Sequence, residues 1–332
     1  MIGRLREILG RRPAIAEAMC YAAVAAGAAA LFLPALGRDG LWDPWETHYA
    51  EVARRMVVDG DWIVLRWHDE MFYSKPVFLF WIVALSFEVL GVSDLAARLP
   101  VALFAIAGIV LVYHFARLLW GRLEAACAAA CLATMPLFAF IARQNIPDMP
   151  FVISMTVGVL GLMRRLQARE GGLPSALVGY AFMGIATLSK GVLGFALPGA
   201  VVLVYVILTQ RWALLKRIAL LPGIGVFLLV TLPWYVAISV KQGGAFLYEF
   251  FYLHHLARAS GGVHGERGTF EYFIGQGGYA VLTWLPILPA ALARLGRRIG
   301  AAFDPDDGEA GRDLFLAVWI ACSLALFTIS RT

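Results

Sequence analysis

The sequence predicts an all-α polytopic membrane protein, and three observations carry that prediction. Apolar residues make up 61% of the 332, and the mean hydropathy is +0.74, far outside the range of soluble domains. The apolar residues run in long uniform stretches, without the two-residue alternation of a membrane barrel. The basic residues gather in short loops at alternate ends of those stretches, as the positive-inside rule requires. The formal net charge of +5 follows from that placement and does not argue for nucleic-acid binding.

The first element covers 14–36. A basic segment over 1–12 followed by an apolar run has the outline of a signal peptide. The run is longer than a signal's apolar core and many spans follow, so an uncleaved first helix is expected. Further spans are expected over 99–119, 123–142, 149–166, 175–189, 191–209, 217–239, 274–293 and 313–330, giving about nine transmembrane helices. Arginine outnumbers lysine 24 to 4 and so sets the orientation. The groups Arg4/Arg6/Arg11/Arg12, Arg117/Arg122, Arg164/Arg165/Arg169, Arg211/Lys216/Arg217 and Arg294/Arg297/Arg298 all fall inside if the chain crosses nine times. Residues 76–91 are also apolar, but they are short, contain Glu88, and would invert everything after them if counted as a crossing. They are expected to form a helix lying in the outer interface. Residues 37–98 then become a large first outer loop with two in-plane helices, and 241–273 a second outer loop. Cys20, Cys127, Cys131 and Cys322 all lie in apolar spans. They are expected as small buried apolar residues, with no disulfide and no thiolate metal site.

Two charged clusters stand at the mouths of spans: Trp42-Asp43-Pro44-Trp45-Glu46-Thr47-His48-Tyr49, and Arg143-Gln144-Asn145-Ile146-Pro147-Asp148-Met149-Pro150. Asp148 is the only carboxylate between Glu124 and Glu170, and Arg143 the only base between Arg122 and Arg164. Charges isolated beside apolar spans are costly and mark candidate functional sites. The first cluster also reads as a helix start, with Asp43 as N-cap, Pro44 in the first position and Glu46 near a capping-box position, on a helix running to about Val58. Asp148 likewise suits a helix start with Pro150 in its first turn. Capping and facing a cavity are compatible roles for one carboxylate. In the second cluster the alternative to a cap is that Arg143 and Asp148 face a wet cleft together.

Lysine is scarce, which makes its positions informative. Lys75 sits in Tyr73-Ser74-Lys75-Pro76, and Lys190 in Ser189-Lys190-Gly191 as the only charge between Glu170 and Arg211. Both are expected on the side where bases are disfavoured, so a phosphate-bearing ligand explains them better than snorkelling at helix ends does. The polar stretch over 250–273 carries His254, His255, His264, Arg258 and Arg267 among glycines and aromatics. Metal binding by its histidines and Glu266 lacks any HExxH-like spacing, and adjacent His254 and His255 point to different helix faces, so no metal is expected. A loop closing over an anionic head group is the favoured reading, a plain solvated loop the other. No nucleophile elbow, P-loop or GxGxxG is present, so no nucleotide cofactor is expected.

These residues, in this order, resemble the GT-C membrane glycosyltransferases, in the branch holding protein O-mannosyltransferases and lipid A aminoarabinose transferases. The resemblance rests on the 40–56 run GLWDPWETHYAEVARRM, Gly60-Asp61-Trp62, Ser74-Lys75-Pro76, Ala142-Arg143 with Pro147-Asp148-Met149, Ser189-Lys190-Gly191 and the His254 to Arg267-Gly268 loop, and it covers nearly the whole chain. Two positions depart from the family pattern. Trp45 stands where an aspartate usually precedes the glutamate, leaving Asp43 two residues earlier as the substitute. Ser74 stands where an acid commonly precedes Lys-Pro.

The resemblance implies one GT-C-type transmembrane domain over 1–332, lacking a C-terminal part of the family fold. It also implies a multi-pass protein of a bacterial inner membrane with its active site on the periplasmic side. Asp148, Glu46 and Asp43 are the implied catalytic carboxylates. Lys75, Arg143, Lys190, Arg258, Arg267, His254 and Tyr49 are the implied substrate-binding residues. The implied partners are a polyprenyl-phosphate-linked sugar donor and a lipid, glycan or protein acceptor, with no cofactor and no nucleic acid. The competing class is a transporter or flippase for an anionic lipid-linked substrate. It would place ionisable groups near mid-membrane and matching interruptions in the two halves.

Overall fold

The computed structural model describes residues 13–167, 172–250, 270–300 and 308–329, almost all of them helical. Helix α1 (Pro13–Phe32) leads into the stretch expected as the first outer loop, which holds α2 (Trp45–Asp59) and α3 (Phe78–Leu90). Then follow α4 (Asp94–Trp120), α5 (Arg122–Thr134), α6 (Pro136–Ile141), α7 (Asp148–Gln167), α8 (Leu173–Lys190) and α9 (Leu193–Thr209). The last helices are α10 (Leu220–Leu247), α11 (Phe270–Ala280), α12 (Leu288–Ile299) and α13 (Gly308–Ile329). Among the described residues four helices are long and apolar enough to cross a membrane, at Ala14–Phe32, Asp94–Trp120, Asp148–Gln167 and Leu220–Gly244.

Two expected spans are discontinuous. The 123–142 stretch breaks at Met135, whose extended backbone (ψ 125°) is what the following Pro136 imposes. The 274–293 stretch divides into α11, a 3-10 turn at Leu282–Ile287 containing Pro286, and α12. The two breaks serve each other. Trp284 Nε1 donates to Thr134 Oγ1 at 3.0 Å, and Thr283 Oγ1 donates to the Thr134 carbonyl at 3.1 Å. The Thr134 carbonyl at the first break is thus satisfied by a side chain at the second.

In the first outer loop, α2 ends at Gly60 in the left-handed region (φ 65°), close to the expected stop. Its inner face buries Tyr49, Val52, Ala53 and Met56. At 13 residues α3 is roughly 20 Å long, short of the roughly 30 Å hydrocarbon core. It packs against α2 and α4, in keeping with an interfacial helix. Between α2 and α3 the chain forms a hairpin that the apolar pattern does not announce, β1 (Arg66–Trp67) with β2 (Glu70–Met71), turning on His68 at φ 53°.

The tightest helix pair is α7 with α8. Gly161 explains it, because a Cβ there would sit 2.5 Å from the Ser175 carbonyl and 3.0 Å from the Gly179 Cα. Backbone meets backbone, as in small-residue packing of membrane helices. The free cysteines are less buried than expected, and Cys127 is exposed on the outer surface of the bundle.

Candidate active site

A buried ion pair joins the start of α2 to α4. Glu46 is 1% exposed and Arg98 6%. Arg98 donates from Nε to Glu46 Oε1 at 2.9 Å and from Nη2 to Oε2 at 2.7 Å, a two-pronged pairing. Its remaining donors reach the carbonyls of Leu36 (3.1 Å), Asp39 (2.7 Å) and Gly40 (2.9 Å). Glu46 also accepts from the backbone N–H of Asn145 at 2.7 Å and of Trp42 at 3.0 Å. Its oxygens therefore accept four bonds, two each. Burial alone would raise the Glu46 pKa; Arg98 and the two N–H groups outweigh it and hold the carboxyl below its ordinary value. Expected as a catalytic carboxylate, Glu46 instead points at Arg98 and ties the first outer loop, the start of α4 and the loop before α7 into one node.

That node sets the position of Asp148. Asn145 is fully buried and its side chain also donates to the Glu46 carbonyl at 3.3 Å, while Pro147 leads directly into α7. Asp148 opens α7, and Lys190 closes α8 before Gly191 (φ 89°) breaks the helix. Because the two helices run antiparallel, their charged ends meet. Lys190 Nζ lies 2.6 Å from Asp148 Oδ1 and 5.8 Å above the Phe151 ring. Unlike the pair beneath, this one is open: the side chains of Lys190 and Asp148 are 32% and 39% exposed.

The other sequence candidates separate into groups. Arg143 does not face Asp148. It donates to the carbonyls of Leu31 (3.2 Å), Phe32 (3.1 Å) and Pro34 (2.7 Å), capping the orphan carbonyls at the end of α1. Asp43 is exposed and accepts from Thr47 Oγ1 at 2.9 Å. The expected side-chain cap on α2 is replaced by the Glu46 carboxylate reaching back to Trp42 N–H. Tyr49 is buried against His48, Phe72 and Phe80. Lys75 is half-buried just before α3, and Tyr73 beside it donates to Gln242 Oε1 at 3.0 Å. His254, Arg258 and Arg267 lie outside the described residues. The described residues contain no cluster of metal-binding side chains.

Two residues escaped the sequence reading. Arg98 falls at the edge of the expected first outer loop, where an arginine runs against the positive-inside pattern and is itself a signal. Asp61 was noted only for its resemblance. Its carboxylate holds Lys241 Nζ at 3.0 Å from both oxygens, joining the first outer loop to the end of α10.

A mostly helical bundle with an Asp–Lys pair where two antiparallel helices end fits the GT-C class of membrane glycosyltransferase fold. The family model described as dolichyl-phosphate-mannose-protein mannosyltransferase matches residues 74–236. The undecaprenyl phosphate-alpha-4-amino-4-deoxy-L-arabinose arabinosyl transferase of Pseudomonas aeruginosa is 29% identical over 309 residues, covering 90% of this chain and 53% of that protein. The enzyme of the same name from Edwardsiella ictaluri is 30% identical over 88% of this chain and 51% of its own length. The crystal structure of ArnT from Cupriavidus metallidurans bound to undecaprenyl phosphate superposes with a TM-score of 0.82 at 30% identity, covering 96% of this chain and 56% of that one. Its apo form gives 0.81. Over most of its length the chain is thus similar to membrane glycosyltransferases of the aminoarabinose transferase kind, and over residues 74–236 to the protein mannosyltransferase family model. It spans about half the length of these relatives.

Proposed function

We propose that this chain acts in a glycosyltransferase reaction moving a sugar from a polyprenyl-phosphate donor to an acceptor at the periplasmic face of the inner membrane. The acceptor is a lipid such as lipid A, a glycan or a protein. The observation that carries the reading is the half-open Asp148–Lys190 pair, held on a rigid node, in a fold whose solved relative binds undecaprenyl phosphate. The nine-crossing arrangement with its five basic groups inside belongs to the same proposal. It puts Asp148, Lys190 and Lys75 on one outer face.

In the transfer step, the bond between the anomeric carbon and the phosphate oxygen breaks. The bonding electron pair leaves with polyprenyl phosphate, and an acceptor oxygen attacks from the opposite side with inversion. Charge grows on the departing phosphate, and Lys190 and Lys75 are the side chains proposed to meet it, with Arg258 and Arg267. Asp148 takes the acceptor's proton where that acceptor is a hydroxyl. Where it is an ionised phosphate, Asp148 orients Lys190 and the sugar. Asp43 is the auxiliary carboxylate of this scheme. Glu46 and Arg143, bonded within the protein, and Tyr49, packed among aromatic rings, are assigned supporting roles in this scheme.

Purified protein in lipid nanodiscs, given labelled polyprenyl-phosphate sugars and candidate acceptors, is expected to release polyprenyl phosphate. Movement of the intact donor across the bilayer without bond cleavage would favour the transporter class instead.

A further inference from the structure

The end of α7 remote from Asp148 is basic. Arg164 and Arg165 lie in its last turn, and Arg165 is 17 residues from Asp148, about 26 Å along the helix. Arg165 Nε donates to the Arg217 carbonyl at 2.7 Å, which draws a second basic segment, Arg211 to Arg217, against the first. That segment holds a 3-10 turn, Trp212–Lys216, between α9 and α10. Among the described residues neither Arg164 nor Lys216 has an ion-pair partner. The acids of α13, which packs on α9, are engaged elsewhere: Glu309 and Asp313 by Arg298, and Glu309 also by Arg312. One turn beyond Arg164, Gln167 has its side-chain amide buried with neither atom hydrogen-bonded.

Bases at the inner ends of spans follow from the positive-inside rule, and each alone needs no ligand. Here two basic segments converge, and the surface beside them is apolar. Trp212 stands half exposed at the turn, Leu203, Ile207 and Leu208 are exposed on α9, and Leu220 and Leu221 are exposed at the start of α10. Indole rings settle at the headgroup level of a bilayer. Aliphatic surface running up to unpaired bases suits a phosphate that carries acyl chains, whereas a free phosphate would leave that surface bare. The sugar donor's phosphate is too far away to be this ligand. Helix α7 is long and apolar enough to cross a membrane, and 26 Å approaches the roughly 30 Å hydrocarbon thickness, so these bases belong to the membrane surface opposite Asp148.

We propose that this end of the bundle binds an anionic glycerophospholipid, with Arg164 and Lys216 on its phosphate and the exposed flanks of α9 and α10 against its acyl chains. The site does not depend on the transferase reading. The test is native mass spectrometry of the full chain in neutral detergent micelles, titrated with phosphatidylglycerol or with phosphatidylcholine of the same acyl chains. Wild-type protein is expected to bind phosphatidylglycerol about tenfold more tightly, the scale of one or two bases acting on an anionic head. In Arg164→Gln/Lys216→Gln, which breaks no ion pair among the described residues, the preference should fall to within about twofold. Lys216→Gln alone, at an exposed side chain, should lower it about threefold and carries the test if the double variant does not fold. Arg294→Gln/Arg297→Gln removes the same charge from α12 and should leave the preference at about tenfold. Glycerol phosphate, the head without its chains, should not displace the lipid. A preference that survives the substitutions at Arg164 and Lys216, an equal loss in the α12 variant, or displacement by glycerol phosphate at equal concentration would overturn the proposal.

Discussion

Two ion pairs lie a few residues apart and are built for opposite purposes. Glu46–Arg98 is sealed, accepts or donates at almost every available atom, and touches three segments of chain. Asp148–Lys190 is a single contact between two helix ends, with about a third of each side chain open. A sealed pair with all its bonds made has nothing left to offer a ligand, whereas an open single contact can exchange its partner for substrate. The sequence singles out Glu46 and Asp148 alike as acids at the mouths of apolar spans. Only their surroundings tell support from chemistry.

The comparison breaks most sharply at Asp148. Asp148→Asn should lower release of polyprenyl phosphate by roughly 10²–10⁴-fold, the range for losing a positioned acid–base group. Its melting temperature should scarcely move, because a half-exposed pair contributes at most about 1 kcal/mol. Full activity in this variant would remove Asp148 from the reaction. The reverse pattern is expected at the sealed pair. Arg98→Ala strands a buried carboxylate and should cost roughly 3–5 kcal/mol, read as a lowered unfolding midpoint or loss of extractable protein. A near-normal midpoint in Arg98→Ala would mean that the node is not what holds the outer face together.

Acid sharpens the same contrast. The Glu46 carboxyl is depressed in the folded protein, so its stabilisation is complete above the unfolded carboxylate pKa of about 4.3 and is lost as pH falls through the folded value. Asp61 acts in the same window: burial raises its pKa, but the N–H groups of Ile63 and Val64 and the Lys241 ammonium lower it by more. The melting temperature should be level from pH 7 to about 5 and fall steeply below about 4. Glu46→Gln should start lower and fall less steeply, keeping the Asp61 share. The smallest effect is expected at Arg143, where Arg143→Ala uncaps α1 at a cost of about 1 kcal/mol, with donor KM unchanged. A large rise in donor KM there would return Arg143 to the substrate.

Much of this was legible in the sequence. Apolar run lengths gave the helices from α7 to α10, and the stop of α2 was read to within a residue or so at Gly60. The 13-residue length of α3 fits the in-plane expectation drawn from Glu88 and from arginine placement. The break at Met135 and the 3-10 turn before α12 stayed hidden, because apolar composition persists through both while prolines redirect the backbone. The hairpin at Arg66–Met71 is too short to show an alternating pattern. In the site, scarcity pointed to Asp148 and Lys190, whose partnership across 42 residues depends only on two consecutive helices folding back. Arg143 and Arg98 were harder, since their acceptors are main-chain carbonyls and a carboxylate 52 to 112 residues away. Backbone acceptors have no sequence signature at all.

The glycine contact between α7 and α8 has a mechanical consequence. Gly161 is 13 residues from Asp148, about 20 Å down the helix, and Gly179 is 11 residues from Lys190. The two rods touch at this fulcrum and carry their charged tips at the far end. A methyl group inserted at Gly161 would pry the tips apart without coming near them, changing the gauge of the site from about 20 Å away.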